Sequence, residues 1–231
     1  MRLSLVAPLD MFSPLIDIQW LTRAYPGTTK NIFSHLFLSI NKDDFCFVVG
    51  KSGIGKTTLV KFLIRQLQPP MRMIYHKKED IARFTPWEVQ RYRKRIGVIY
   101  QDYKLIDRKN VADNIAYPLE IAGIEKSLRT SKVAIIAEQL WLTDKLTTGI
   151  HQLSWGEKQR VAIARALVND PEFIIADEAT GNLDREASQK IADTLIGLNR
   201  AGNTIVCITH DRELIAYVQR QQPIKIVELH P

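Results

Sequence analysis

The chain has 231 residues, 32 Lys and Arg against 25 Asp and Glu, and a net charge of +7. That length buries one large core with room for an inserted subdomain, and no stretch supplies the eighteen or so apolar residues that a membrane-spanning helix needs. The two cysteines, Cys46 and Cys207, both sit in apolar runs, which suits small buried hydrophobes in a reducing compartment rather than a disulfide framework.

Residues 1–13 are mildly apolar, broken by Pro8 and Asp10, with one arginine and no small-residue cleavage site, so they read as a short extension and not as a signal peptide. Residues 15–40 hold short alternating pieces interrupted by Pro26 and Gly27, the pattern of a small antiparallel sheet. Residues 45–49 are continuously apolar, as in a strand covered on both faces. Directly after them comes Gly50-Lys51-Ser52-Gly53-Ile54-Gly55-Lys56-Thr57, followed by Leu59, Leu63 and Leu67 at helical spacing. Strand, glycine turn and helix together make a phosphate-binding loop. Its glycines let the backbone N–H groups face inward, and the helix N-terminus adds partial positive charge. Lys56 reaches the terminal phosphates, and the Thr57 hydroxyl suits Mg²⁺, a hard cation that prefers oxygen.

Residues 61–109 carry 13 Lys and Arg against five Asp and Glu, including Arg91, Arg93, Lys94 and Arg95. A solvated helix face is the commonest reason for such a surplus; an anionic membrane face and nucleic acid are the alternatives. Further apolar runs at 96–100, 173–176 and 205–209 read as strands of one parallel sheet, and 224–229 alternates like a late edge strand. Helical patterns cover 157–168 and 185–198, the second with Ala187, Ile191, Leu195 and Leu198 on one face. The order is α/β, in which ligands collect at the carboxyl ends of the strands.

Three segments stand where that rule places chemistry. Ser154, with Glu157 three residues on, forms a capping box, and a capped helix start is also an anion site; the residues alone leave both readings open. Asp177 and Glu178 end an apolar strand, where one acid suits Mg²⁺ or its water shell and the other orients or deprotonates an attacking water. His210 closes the strand at 205–209 and can touch a terminal phosphate, although a lone histidine is a weak signal.

The set formed by 50–57, Gln101, 153–159, 173–178, Asp184 and His210 resembles the nucleotide-binding subunit of ABC transporters over nearly the whole chain from about residue 15. The resemblance implies an α/β P-loop core with a mostly parallel sheet, an N-terminal antiparallel β subdomain and an inserted helical subdomain at about 102–165, in a domain spanning 14–231. It implies that ATP and Mg²⁺ are bound and ATP is hydrolysed. Tyr25 would stack on adenine, and Gly50, Lys51, Ser52, Gly53, Ile54, Gly55, Lys56, Thr57 and Thr58 would hold the phosphates. Thr57, Gln101 and Asp177 would hold or sense Mg²⁺, Glu178 would be the general base, and His210 would contact the γ-phosphate. Two copies would face each other head to tail as a homodimer, with Ser154, Gly156, Glu157 and Asp184 of one copy closing on nucleotide held by the other. An integral membrane partner and a peripheral place on the cytoplasmic face of a bacterial inner membrane are also implied. No nucleic acid is expected, because relatives acting on DNA or ribosomes separate the loop from the signature by long insertions or carry two copies.

Gln101-Asp102, Leu105, Asp107-Arg108 and 111–118, together with 176–178 and 180–184, resemble the FtsE branch, the cell-division ATPases of bacteria, and it is Gln101-Asp102 and Asp107-Arg108 that tilt the resemblance that way. That branch implies FtsX as the membrane partner, passing ATP-driven movement to peptidoglycan hydrolases outside. The run Thr180-Gly181-Asn182-Leu183-Asp184 is shared with lipoprotein-releasing and macrolide-exporting branches. Three positions depart from the family pattern: Trp155 replaces the first signature glycine, Ala179 replaces a proline, and residues 41–44 lack a glycine before the strand. Trp155 is expected to place a bulky ring at the dimer interface.

Overall fold

Two sheets with different sequence logic divide the strands. The computed structural model describes residues 13–24, 31–51, 53–180 and 185–230. An antiparallel sheet, in the order β2-β1-β4-β5, is built from β1 (Ile16–Ala24), β2 (Asn31–Ile40), β4 (Ile74–His76) and β5 (Glu79–Asp80). The second sheet, in the order β6-β7-β8-β3-β9, contains β3 (Phe45–Val49), β6 (Ile96–Tyr100), β7 (Phe173–Asp177), β8 (Thr204–Thr209) and β9 (Lys225–Glu228). Every pairing in it is parallel. The continuous apolar runs of β3, β7 and β8 occupy its interior and the alternating run, β9, one edge, as expected, whereas β6, an apolar run expected to be covered on both faces, lies at the opposite edge with only Gly97 and Ile99 buried. Strands β4 and β5 are too short and polar to announce themselves in the sequence.

Helices α1 (Lys56–Leu63), α2 (Pro86–Arg93), α3 (Val111–Ile121), α4 (Lys126–Gln139), α5 (Trp155–Leu167), α6 (Arg185–Arg200) and α7 (Arg212–Gln219) complete the fold. None is long and apolar enough to cross a membrane among the described residues. The pleat of the parallel sheet sorts its side chains into two cores. Phe45, Phe47, Ile174, Ala176, Ile205 and Cys207 pack with α3 to α7 on one face. Cys46, Val48, Phe173, Ile175, Val206 and Ile208 pack with α1 and the antiparallel sheet on the other. Cys46 and Cys207 therefore lie in different cores as free thiols, and burial pushes Cys46 up to about 12.

Between β6 and β7 the chain runs through α3, α4 and α5. The last of these is seated on the sheet at Gly97, where an added Cβ would lie 2.6 Å from the Ala166 carbonyl. That close approach fixes the direction of α5 and so the position of its first turn.

Two local features differ from expectation. Leu67 does not share the buried helical face of Leu59 and Leu63: α1 ends at Leu63, Arg65 is left-handed with φ 56, and Leu67 is 43% exposed. Pro69 and Pro70 follow, and the residue before a proline is driven out of the helical region. Arg93 caps the turn by donating Nε to the Ile64 carbonyl at 3.0 Å and Nη2 to that of Arg65 at 2.8 Å. Before β3, where the family pattern has glycine, Asp43 itself takes the left-handed conformation with φ 66. Hydrogen bonds hold it there: Asp43 N donates to Thr204 Oγ1 at 2.9 Å, and Asn41 N to Asp44 Oδ2 at 2.8 Å.

The helix boundary has a measurable consequence. Leu63→Ala should lower stability by about 2–5 kcal/mol and Leu67→Ala by less than about 1 kcal/mol in urea unfolding; equal losses would mean that α1 continues.

Candidate functional site

Strand register places the chemistry at one edge of the parallel sheet. Tyr100 pairs with Asp177, Asp177 with Ile208, and Val49 with Thr209, so the ends of β6, β7, β8 and β3 are level. The loop leaving β3 curls through Gly53 with φ 77 and Gly55 with φ 113. At Gly55 a side chain is excluded twice over, since a Cβ would also come within 2.3 Å of Ile32 Cγ2. Gly55 is the N-cap of α1 and provides no side-chain cap, which leaves first-turn N–H groups of the helix available to an anion. Lys56 is buried and folds back over the loop, donating Nζ to the Gly50 carbonyl at 2.8 Å and to the Lys51 carbonyl at 3.3 Å. Lys51 and Thr57 are exposed, while Ile54 and Thr58 are half-buried.

The same Lys56 Nζ lies 3.4 Å from Glu178 Oε1. His210 Nδ1 approaches that carboxylate at 2.9 and 3.0 Å, and Thr209 Oγ1 donates to Glu178 Oε2 at 3.4 Å. Glu178 is held for this meeting in a left-handed conformation, φ 48, with its N–H bonded to the Ile208 carbonyl at 2.8 Å. Such a conformation costs a non-glycine residue roughly 1–2 kcal/mol, and strain of this kind concentrates at functional sites. Beside it, burial pushes the Asp177 carboxyl up to about 6; the Glu178 charge adds to the rise and Lys56 opposes it. A cleft of about 540 Å³ opens next to the loop, with Gly50, Lys51, His210 and Arg212 in its wall.

No group of three or more His, Cys, Asp or Glu among the described residues forms a metal cage. The oxygen donors at hand, Thr57 and Asp177, suit a small hard cation that keeps most of its coordination for phosphate and water. The donor set therefore fits Mg²⁺ arriving with a phosphate chain and not a resident ion.

At the start of α5 both readings of Ser154 can be weighed. The capping box is complete: Ser154 N and Oγ donate to Glu157 Oε2 at 2.8 and 2.9 Å, and Glu157 N donates to Ser154 Oγ at 3.3 Å. These bonds hold the Glu157 carboxyl below its usual range, and Lys145 lies 3.4 Å from its other oxygen. The Glu157 carboxylate thus serves the helix start. None of the bonds described for Ser154 or Glu157 reaches the phosphate loop of the same chain. Gly156 is different. A Cβ there would meet nothing nearer than Arg160 Nη1 at 3.8 Å, so its own chain gives no reason for a glycine in the first turn. Trp155 turns toward its own chain, its ring 5.9 Å from that of Tyr103 and Lys158 Nζ 5.6 Å above it, while remaining 62% exposed.

The carboxyl end of the sheet brings Lys56, Glu178 and His210 together, with Gly50 against Lys56 and Asp177 next to Glu178; Thr57 lies in the first turn of α1, Gln101 follows β6, and Ser154, Gly156 and Glu157 form the start of α5, which Gln159 ties to the Ala179 carbonyl at 2.7 Å. Tyr25, Ser52 and Asp184 lie outside the described residues. Gln101 is exposed at the tip of β6, and the chain after it is fastened to α5 by Arg165, which donates Nη1 to the Lys104 carbonyl at 2.7 Å and Nη2 to that of Tyr103 at 2.5 Å. Arg165 is a supporting residue that the motifs do not include. Its signal was a lone arginine in the apolar run 161–168. Asn114, fully buried on α3, holds the next stretch by accepting from Ile106 N and sharing its two Nδ2 hydrogens among the carbonyls of Ile106, Lys109 and Asn110.

A model of the ABC transporter family matches residues 33–181. The cell division ATP-binding protein FtsE of Bacillus subtilis is 35% identical over 207 residues, 90% of this chain and 90% of that protein. The methionine import ATP-binding protein MetN of Lacticaseibacillus paracasei is 38% identical over 197 residues, 84% of this chain but 56% of that protein. The dimeric structure of a bacterial ABC transporter cassette superposes with a TM-score of 0.79 at 27% identity, covering 93% of this chain and 94% of that one.

Two outcomes test this geometry. Gly55→Ala should cost more than about 2 kcal/mol, because φ and space both forbid it, whereas Gly156→Ala should leave thermal stability unchanged or raise it by up to about 1 kcal/mol. Because Asp177 titrates higher in the folded chain than unfolded, its stabilising share is present at low pH and lost as pH rises through about 6. Asp177→Asn should therefore raise the melting temperature at pH 8 and leave it nearly unchanged at pH 3.5; a gain of equal size at both would exclude the ionised carboxylate as its source.

Proposed function

The chain belongs to the ABC transporter ATP-binding family and is an ATPase, and from that premise we propose that it hydrolyses ATP as a head-to-tail dimer on the cytoplasmic face of a bacterial inner membrane, driving an FtsX-type partner in cell division. The observation that carries the catalytic part is the convergence of Lys56 and His210 on the single carboxylate of Glu178, at the tips of level parallel strands. Support for the cell-division role comes from the FtsE proteins, whose alignment spans nearly the whole of both chains.

ATP phosphates lie along the loop against its inward N–H groups, and Tyr25 stacks on the adenine. Thr57 and Asp177 would hold Mg²⁺ and Gln101 would sense it, and the ion would supply charge neutralisation to the phosphates. The γ-phosphate competes with Glu178 for Lys56 and His210, both within reach of that carboxylate. Released from Lys56, Glu178 orients and deprotonates the attacking water, and His210 steadies the γ-phosphate.

Gly156 supports the dimer. A first-turn glycine costs about 1 kcal/mol relative to alanine and nothing in its own chain demands it. Close approach of another molecule supplies the reason: the capped start of α5, with Ser154, Gly156 and Asp184, closes over ATP held by the second copy. Trp155, beside Tyr103 but still 62% exposed, would pack against the second copy in that closure.

Glu178→Gln should lower phosphate release by about 10²–10⁴ while ATP binding persists and a dimer accumulates in light scattering; unchanged turnover would remove Glu178 as the base. Affinity purification from detergent-solubilised membranes should recover an FtsX-type protein. Recovery of a lipoprotein-releasing permease in its place would move the assignment to an exporter.

A further inference from the structure

Six of the chain's seven net positive charges lie between residues 65 and 95, where nine Lys and Arg stand against three Asp and Glu. The segment forms one surface from the loop after α1, the β4–β5 hairpin and α2. Gln68 Nε2 donates to the Ala82 carbonyl at 2.7 Å, Arg72 N donates to Asp80 Oδ2 at 2.9 Å, and Arg93 ties the end of α2 to Ile64 and Arg65. Lys77, Glu79, Glu88, Arg91 and Arg95 line one recess between hairpin and helix. Helix α2 turns only Val89 and Tyr92 inward. Part of the charge is compensated within the fold, since Glu172 takes Lys77 at 2.8 Å and Arg95 at 3.6 Å. Arg72, Arg83 and Arg91 remain exposed.

Single exposed apolar side chains are ordinary on a solvated surface, but here two large ones share the segment that carries most of the net charge. It displays Met71 at 70% and Trp87 at 66% exposure, with the Arg91 guanidinium 4.6 Å from the Trp87 ring centre. An indole beside a guanidinium suits the headgroup level of a bilayer, where an amphipathic ring is half wet and basic groups meet lipid phosphate, and exposed Met71 adds apolar surface to the same segment. Apolar contact and basic charge are also the two signals that lasting surface attachment requires. We propose that this face rests directly on an anionic lipid bilayer. Nucleic acid would answer the charge but leave Met71 unexplained. The inference goes beyond the function above and does not depend on which membrane protein is the partner.

Flotation of the full chain with protein-free vesicles tests it, using phosphatidylcholine with about 40 mol% phosphatidylglycerol against phosphatidylcholine alone. Binding should require phosphatidylglycerol and weaken in high salt. The triple variant Arg72→Glu, Arg83→Glu, Arg91→Glu should bind at least about ten-fold more weakly, and Trp87→Ser should also lose binding; normal ATP turnover in solution shows that each remains folded. Lys126→Glu, Arg129→Glu, Lys132→Glu on α4 makes the same change in net charge and should bind like the wild type. The proposal is overturned if the α4 variant loses binding equally, if vesicles are ignored while a DNA oligonucleotide is bound, or if neither is bound. As the vesicles hold no protein, such a failure leaves the FtsX assignment intact.

Discussion

Parallel register is the constraint on which the site depends. Because β3, β7 and β8 end level, Lys56 and His210 arrive at the carboxylate of Glu178 although Lys56 lies more than a hundred positions before either of the other two in the chain. The register is secured by the two-sided apolar character of the strands. A slip of one residue would send Phe47 and Cys207 to the opposite core and carry the functional groups to the wrong depth.

The edge so formed is costly in several ways that point to one use. Asp177 is pushed up by burial, Glu178 sits in a left-handed conformation, and Lys56 is buried against the carbonyls of its own loop. In the proposed reaction two of these costs would be relieved by a phosphate chain carrying a divalent cation: the cation would favour ionised Asp177, and the phosphate would draw Lys56 from its carbonyls and from Glu178.

Legibility followed the range of the interactions. The interior strands β3, β7 and β8 and the edge strand β9 could be read from apolar runs and local motifs, since a buried parallel strand and a phosphate loop have local signatures, whereas the edge position of β6 is set by sheet order and leaves no local mark. Leu67 was misplaced because periodicity continued past the point where Arg65 reverses the chain and Arg93, distant in sequence, caps it. The glycine missing before β3 proved replaceable by Asp43, held through Thr204, a contact no local pattern contains. Arg165 and Asn114 support the chain after Gln101 in the same nonlocal way. Ser154 stayed ambiguous for a different reason: the cap is internal to the chain, while the role proposed for the helix start concerns a second molecule.

The proposed division, with the loop on one copy and Ser154 and Gly156 on another, would make each site belong to two chains. Mixing two inactive chains tests it most directly. Lys56→Ala destroys the loop and leaves the α5 start intact; Gly156→Asp leaves the loop intact and sets a carboxylate where the opposing phosphate would come, in space its own chain leaves open. Each should be inactive alone. Combined in equal amounts, they should recover about a quarter of the wild-type rate of ATP hydrolysis, since half of the dimers are mixed and each mixed dimer holds one intact site of two. A mixture as inactive as its components would contradict a shared site.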